Sequence, residues 1–170
     1  MNLIEQFVAL VRQYLVLVDG LPGPAARDFL LECAILLPQI YSLGQQLPDV
    51  ELPDEDPLEA KTESVDCRMG EIMKLLGKYG TYSEVFDPVY DTDAITASLG
   101  DDLSGVYLDL KRPLIKYESG AEPNQRIAIW EWKFNLQTHC GDHLVDALRP
   151  IHRLIWDHMD PEYQAEEPDA

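Results

Sequence analysis

Basic residues are scarce in this chain, and they are nowhere clustered. Thirteen Lys and Arg stand against 31 Asp and Glu, which gives a formal net charge of −18. Binding to nucleic acid by counterion release requires grouped positive side chains, and so does attachment to an anionic membrane. The composition therefore argues against nucleic acid and against a membrane as a partner. A basic partner protein or a cation remains open.

Disulfide patterns, leader sequences and long apolar runs are lacking as well. The cysteines are odd in number and far apart, so we expect reduced thiols at Cys33, Cys67 and Cys140. No apolar run approaches the roughly 20 residues of a membrane span, and the first residues lack the positive charge of a signal peptide. We therefore expect a cytoplasmic protein. Phosphate-binding glycine loops and nucleophile elbows are absent too, which favours a protein that is not an enzyme.

The negative charge is concentrated in two segments. Residues 49–59 contain six acids and residues 160–170 contain five, without a single base in either. Residues 48–61 also contain three prolines and have little to bury, so we predict an acidic linker there. For the same reason we predict a disordered acidic tail at residues 159–170. The remainder carries 20 acids and 13 bases and is only mildly negative.

Apolar residues recur at spacings of three and four through most of the chain, which is the pattern of amphipathic helices. The pattern covers residues 3–18, 24–44, 64–79, 98–120 and 124–157, with an expected kink at Pro38 and interruptions at Gly141 and Pro150. Alternation of period two is not evident. We predict an all-α single domain at residues 1–158, a bundle of five or six helices in antiparallel pairs.

Residues 80–96 do not fit a helix. Tyr82, Phe86 and Tyr90 are interleaved with acids there, and Pro88 interrupts the segment. Aromatic residues at this density usually pack against something, so we expect the loop to cover the last helix. A small-ligand pocket or lid is then one hypothesis, with Tyr82, Phe86, Tyr90, Trp132 and Glu131 around it.

The segment 124–157, treated as one helix with 100° per residue, has a broad apolar face and a narrow polar strip. His152 lies in the middle of this face, which collects Trp130, Phe134, Val145, Leu148 and Ile155 and extends through Leu144, Ile151, Cys140 and Leu136. A helix with so wide an apolar face is predicted to lie at the centre of the bundle.

Two histidines of this segment, His139 and His143, are spaced i,i+4, which places both imidazoles over one patch of a helix. This spacing is a common beginning of a helical metal site. Asp102 and Asp109 lie two turns apart on the preceding helix and complete such a site if the two helices are neighbours. The alternative is that both histidines lie at the boundary of the core and form hydrogen bonds with acids or backbone.

Several stretches resemble a bacterial family of uncharacterised helical proteins, the domain-of-unknown-function family 5063. The stretches are Tyr82 with 85–88, 98–103 with Tyr107 and 109–111, 130–132 with Phe134, and His139, Gly141, His143, 146–149 and 151–152. The resemblance covers about residues 80–152 and implies that the aromatic loop and the last helix form one unit. It implies no activity. The first functional hypothesis is thus a non-catalytic interaction or scaffold protein, or a homodimer, without a cofactor. The alternative is a metal-binding bundle or metal-dependent enzyme that uses His139 and His143.

Overall fold

The computed structural model of the protein describes residues 2–52 and 65–159. Within these residues, six helices and two antiparallel strands follow one another along the chain: α1 (Leu3–Asp19), α2 (Ala26–Gly44), α3 (Met69–Leu76), β1 (Thr81–Val85), β2 (Ala94–Ser98), α4 (Leu99–Glu118), α5 (Glu122–Thr138) and α6 (Cys140–Arg153). A 3-10 turn at Gly77–Tyr79 follows α3, and a π turn at Leu154–His158 extends α6. The predicted single helical bundle is confirmed, with one small sheet added to it.

The first two helices form a pair that begins with a well-defined cap. The side chain of Asn2 accepts a hydrogen bond from the Glu5 amide at 2.9 Å, and the Glu5 carboxylate accepts one from the Asn2 amide at 2.9 Å. This reciprocal arrangement satisfies backbone donors that the first turn of a helix leaves unpaired. The second helix continues through Pro38 without a break.

Helix α4 lies at the centre of the bundle and packs against α1, α3, α5 and α6. It begins where the Ser98 hydroxyl accepts a hydrogen bond from the Asp101 amide at 3.2 Å. Its backbone also accepts two bonds from buried aromatic side chains: the Tyr14 hydroxyl donates to the Leu103 carbonyl at 2.7 Å, and the Trp132 indole donates to the Leu110 carbonyl at 3.1 Å. Each bond satisfies a polar atom that burial would otherwise leave unpaired.

The predicted last helix is two helices, because the chain breaks at His139. This residue has φ −154° and ψ −67°, which ends α5 and begins α6. The chain is so tight here that a Cβ atom at Gly141 would lie 2.1 Å from the Leu136 carbonyl oxygen. Only glycine fits that approach.

The break changes which side chains are buried. Trp130 and Phe134 stack on each other at the surface, with ring centroids 5.0 Å apart, and Val145 is half exposed. His152 is exposed rather than central. The predicted apolar face is wrong for Trp130, Phe134, Val145 and His152, whereas its members Leu136, Cys140, Leu144, Ile151 and Ile155 are buried. Helices α5 and α6 each bury their own face: Ala128, Ile129, Trp132 and Leu136 in α5, and Cys140, Leu144, Ala147 and Ile151 in α6.

Residues 81–98 form a β-hairpin, and its first strand borders a groove together with α6. Thr81 pairs with Ser98 and Val85 with Ala94. The prediction of a packed aromatic loop is wrong for Phe86 and Tyr90, which are 77% and 85% exposed, whereas Tyr82 packs against the core.

The first residues of the predicted linker contact α5. Leu47 is buried, Lys133 pairs with Asp49 at 2.6 Å, and Arg126 donates to the Glu51 carbonyl. The rest of that segment, residues 53–61, and the predicted tail from residue 160 onwards lie outside the described residues. None of the described helices combines the length and apolarity needed to cross a membrane.

Candidate functional site

Four of the residues selected from the sequence meet on one side of α4 and the beginning of α6. Asp102, Gly105 and Asp109 are spaced three and four residues apart, so they share one face of α4. The imidazole of His143 lies directly over Gly105, where a Cβ atom would come within 2.9 Å of its Cδ2. The absence of a side chain at Gly105 therefore makes room for the ring between the two carboxylates.

The inner half of the site is the pair of Asp102 and His143. The Nδ1 atom of His143 donates to Asp102 Oδ1 at 2.8 Å, and Asp102 is only 6% exposed. The second oxygen of Asp102 accepts a bond from the Tyr82 hydroxyl at 2.8 Å. A buried carboxylate requires such partners, and here an imidazole and a phenol supply them.

The outer half is the pair of Asp109 and His139. Nδ1 of His139 donates to Asp109 Oδ2 at 2.7 Å. The two imidazoles lie nearly perpendicular at 87°, and their Nε2 atoms are 3.2 Å apart. The His139 side chain is 59% exposed and that of His143 only 20%, so solvent reaches the pair from the His139 side.

The electrostatics of the site follow from an excess of carboxylates. The hydrogen bond to Asp102 raises the pKa of His143 against the opposing effect of burial. On the next turn of α6, burial raises the pKa of Asp146 to about 6, assisted by the negative charges of Glu84, Asp102 and Asp142. The site therefore has a strong preference for positive charge.

The structure thus brings together Asp102, Asp109, His139 and His143. The carboxylates contact the Nδ1 atoms and leave both Nε2 atoms to each other, so the acids orient the rings. Within residues 2–52 and 65–159, no group of three or more His, Cys, Asp or Glu side chains is arranged to hold a metal ion.

The residues of the predicted pocket or lid do not come together. Trp132 is fully buried beside Phe7, with ring centroids 5.3 Å apart, and Glu131 forms an ion pair with Lys116. Tyr82 lines a groove and contacts Asp102, while Phe86 and Tyr90 extend into solvent.

Comparison with known proteins supports the sequence resemblance. The family model of a domain of unknown function, DUF5063, matches residues 1–157. The chain belongs to the DUF5063 family. The match extends beyond the predicted resemblance and includes the N-terminal helix pair. No curated protein matches the chain by sequence.

A solved structure shares the fold of this DUF5063 domain. Protein BF1032 from Bacteroides fragilis, a structural-genomics target, superimposes with a TM-score of 0.77 at 18% sequence identity. The match covers 91% of this chain and 93% of the other. At this identity the likeness concerns the fold alone.

A groove of about 530 Å³ lies between the hairpin and the end of α6 in this DUF5063 domain. Its walls combine apolar and charged side chains, among them Val85, Pro88, Val145, Leu154, Asp146 and Arg149. Tyr82 and Glu84 of β1 line it as well, and the Tyr82 hydroxyl lies 3.0 Å from Glu84 and 2.8 Å from Asp102. Strand β1 therefore connects the groove with the imidazole site.

The end of the hairpin, residues 86–93, is here called the hairpin tip. Its three large apolar side chains, Phe86, Val89 and Tyr90, are 77–85% exposed. Asp87 shapes the turn, because its carbonyl accepts bonds from the amides of residues 90 and 91 and its side chain accepts one from residue 89. The tip thus presents its aromatic rings on an ordered turn.

Sequence reasoning missed Glu84, Gly105 and Asp146 as parts of the site. Gly105 had a readable signal, because it stands between Asp102 and Asp109 on the same helix face. Glu84 and Asp146 come from separate elements, and nothing in their local sequence indicates that they share a groove.

Proposed function

We propose that this domain is a protein-interaction module that binds its partner through the hairpin tip. The observation that carries the proposal is the exposure of Phe86, Val89 and Tyr90 at 77%, 78% and 85%. Exposed apolar groups bordered by polar residues are typical of interaction sites, and aromatic anchors are enriched among residues that dominate binding energy.

The turn geometry supports a role in binding, because the tip is ordered before a partner arrives. Bonds within 2.7–3.1 Å to Asp87 fix the backbone of residues 89–91. Side chains held in position on a fixed backbone lose less conformational freedom when they become buried.

The charges around the tip indicate the chemistry of the partner. Asp87, Asp91 and Asp93 alternate with the exposed apolar residues. No Lys or Arg lies between Lys78 and Lys111 in the sequence. The complementary surface is an apolar cleft bordered by Lys and Arg side chains of another protein. A second copy of this chain is a poor fit, because two acidic tips repel each other.

The groove extends the same surface. Val85 and Pro88, next to the tip, line it together with the half-exposed Val145 of α6. Its volume of about 530 Å³ lies in the range of pockets that hold buried side chains or small molecules.

The proposal is tested with a photo-crosslinking residue in place of Val89 in the full-length chain, applied in a lysate of the source organism. The matched control carries the same residue in place of Ile35, which is 54% exposed on α2. Proteins captured only from position 89 are identified, purified and titrated calorimetrically against the wild type. Replacement of Phe86 and Tyr90 by Ser should weaken binding at least about tenfold, while Ile35→Ser should leave it unchanged.

Charge complementarity is tested with the double substitution Asp91→Asn and Asp93→Asn, which leaves the Asp87 turn intact. This variant should bind more weakly and show a smaller loss of affinity with added salt. The proposal fails if position 89 captures nothing that position 35 does not, or if the crosslinks map to an acidic surface. If the wild type self-associates and the Ser variant does not, the partner is a second copy of this chain and not a different protein.

A further inference from the structure

The two imidazoles are arranged around a space that requires positive charge. Each Nδ1 donates its hydrogen to a carboxylate, at 2.8 Å for His143 and 2.7 Å for His139. A neutral imidazole with its hydrogen on Nδ1 has only a lone pair on Nε2. The two Nε2 atoms lie 3.2 Å apart in rings that are nearly perpendicular, and a cation held between them would remove the repulsion of their lone pairs. That cation is either a shared proton or a metal ion.

The separation of the Nε2 atoms matches what a metal ion needs. With metal–nitrogen bonds of about 2.0–2.1 Å and a tetrahedral angle, two histidine ligands have nitrogens about 3.3 Å apart. The observed 3.2 Å is close to this value. A metal ion could therefore be accepted with small movements of the rings.

The surroundings of the rings are those of metal-binding histidines. Such histidines usually donate their other ring hydrogen to a carboxylate, which fixes the tautomer and makes the ligand nitrogen more basic. Asp102 and Asp109 do this here, and Asp102 is itself fixed by the Tyr82 hydroxyl. The His143 ring packs directly against Gly105, which has no side chain to displace it.

The donor type and number define the kind of ion. Imidazole nitrogen suits Zn²⁺, Ni²⁺, Cu²⁺ and Co²⁺, whereas Mg²⁺ and Ca²⁺ prefer oxygen. The described residues offer two nitrogens and no third protein ligand in place. We propose that His139 and His143 bind one divalent transition-metal ion through their Nε2 atoms, with Asp109 and Asp102 as positioning residues and with water or a small ligand in the remaining positions. The exposure of His139 gives these positions access to solvent.

This inference is independent of the interaction proposed for the hairpin tip, and it is tested on the full chain after removal of metals with a chelator. Calorimetric titration with Zn²⁺ should show one site per chain. The double variant His139→Ala/His143→Ala should abolish that site, and His152→Ala, an exposed histidine of the same helix, should retain it. Asp109→Asn should weaken Zn²⁺ binding about 10- to 100-fold, although Asp109 is not itself a metal ligand.

A spectroscopic readout separates coordination from a structural role. With Cu²⁺, the paramagnetic resonance spectrum should show two coordinated imidazole nitrogens in the wild type and one in either single histidine variant. The proposal is overturned if the wild type binds no Zn²⁺, or if the double variant binds it equally well, because the ligands then lie elsewhere in the chain. A copper spectrum that is unchanged in the single variants also overturns it.

Discussion

Asp146 gives a quantitative test of the electrostatics around the site, because its carboxyl is held where negative charge is unfavourable. Burial and the charges of Glu84, Asp102 and Asp142 raise its pKa to about 6, against the opposing effect of His143. The interval between 3.8 and about 6 corresponds to about 3 kcal/mol. Because the carboxyl is only partly buried, solvent screening reduces the effect on stability to roughly 1 kcal/mol.

The sign follows from proton linkage. The folded state retains the Asp146 proton up to a higher pH than the unfolded state does, so the free energy of unfolding decreases as the pH rises from 3.8 to 6. At neutral and higher pH, the ionised Asp146 carboxylate destabilises the folded state to its full extent. Asn has the shape of Asp and no charge, so Asp146→Asn should raise the free energy of unfolding by roughly 1 kcal/mol at about pH 8. The gain should shrink as the pH is lowered through this window.

Urea denaturation followed by circular dichroism, in the presence of a chelator, measures the difference between variant and wild type at about pH 8, 6 and 4. Asp28→Asn is the matched control, because Asp28 is not among the charges that act on Asp146. This exposed residue lies in the first turn of α2, where the helix dipole favours a negative charge, so its replacement should cost a few tenths of a kcal/mol. A gain from Asp146→Asn that is absent at pH 8, or equal at all three pH values, would refute the reasoning.

Three further substitutions test the packing and capping of the bundle. Gly105→Ala places a methyl group 2.9 Å from the His143 ring, and it should lower the free energy of unfolding by about 1–3 kcal/mol in urea and shift the His143 NMR signals. Ser98→Ala removes the cap of α4 and should cost about 1 kcal/mol in the same assay. Asp19→Asn weakens the bonds from Tyr107 at 2.6 Å and from a lysine at 3.0 Å. Although burial raises the pKa of Asp19, these bonds lower it on balance. The substitution should therefore lower the free energy of unfolding by roughly 1 kcal/mol at neutral pH, and this loss should vanish as the pH falls below 3.8.

The helices could be predicted from sequence because each buries one stripe with a period near 3.6. The prediction of α1 at residues 3–18 differs from the structure by a single residue at its end. The hairpin could not be predicted in this way, because strand alternation is visible only where one face of a sheet is buried. Ile95 of β2 is 46% exposed, and the neighbouring strand residues are exposed or half-buried, so neither face carries a continuous apolar pattern.

The candidate site could be predicted in part for a related reason. The spacing between Asp102 and Asp109 places them on one helix face whatever the rest of the fold does, and the same holds for His139 and His143 within one turn. The break at His139 is local, at the close approach of Gly141 to the Leu136 carbonyl, and it lies two residues from the interruption expected at Gly141. The sequence prediction treats residues 124–157 as one continuous helix. It therefore assigns Trp130 and Phe134 to the core, although they stack at the surface.

Both proposed binding features reduce stability, and the bundle needs neither of them. The core consists of apolar side chains from all six helices, while the hairpin tip exposes aromatic rings that burial would stabilise. Likewise, burial and the charges of Glu84 and Asp102 raise the pKa of Asp146, one turn from His143. Local features that oppose folding persist mainly where binding requires them. The exposed aromatic rings of the tip favour an apolar partner, whereas the carboxylates beside His143 favour a cation, and this difference in chemistry supports two separate ligands.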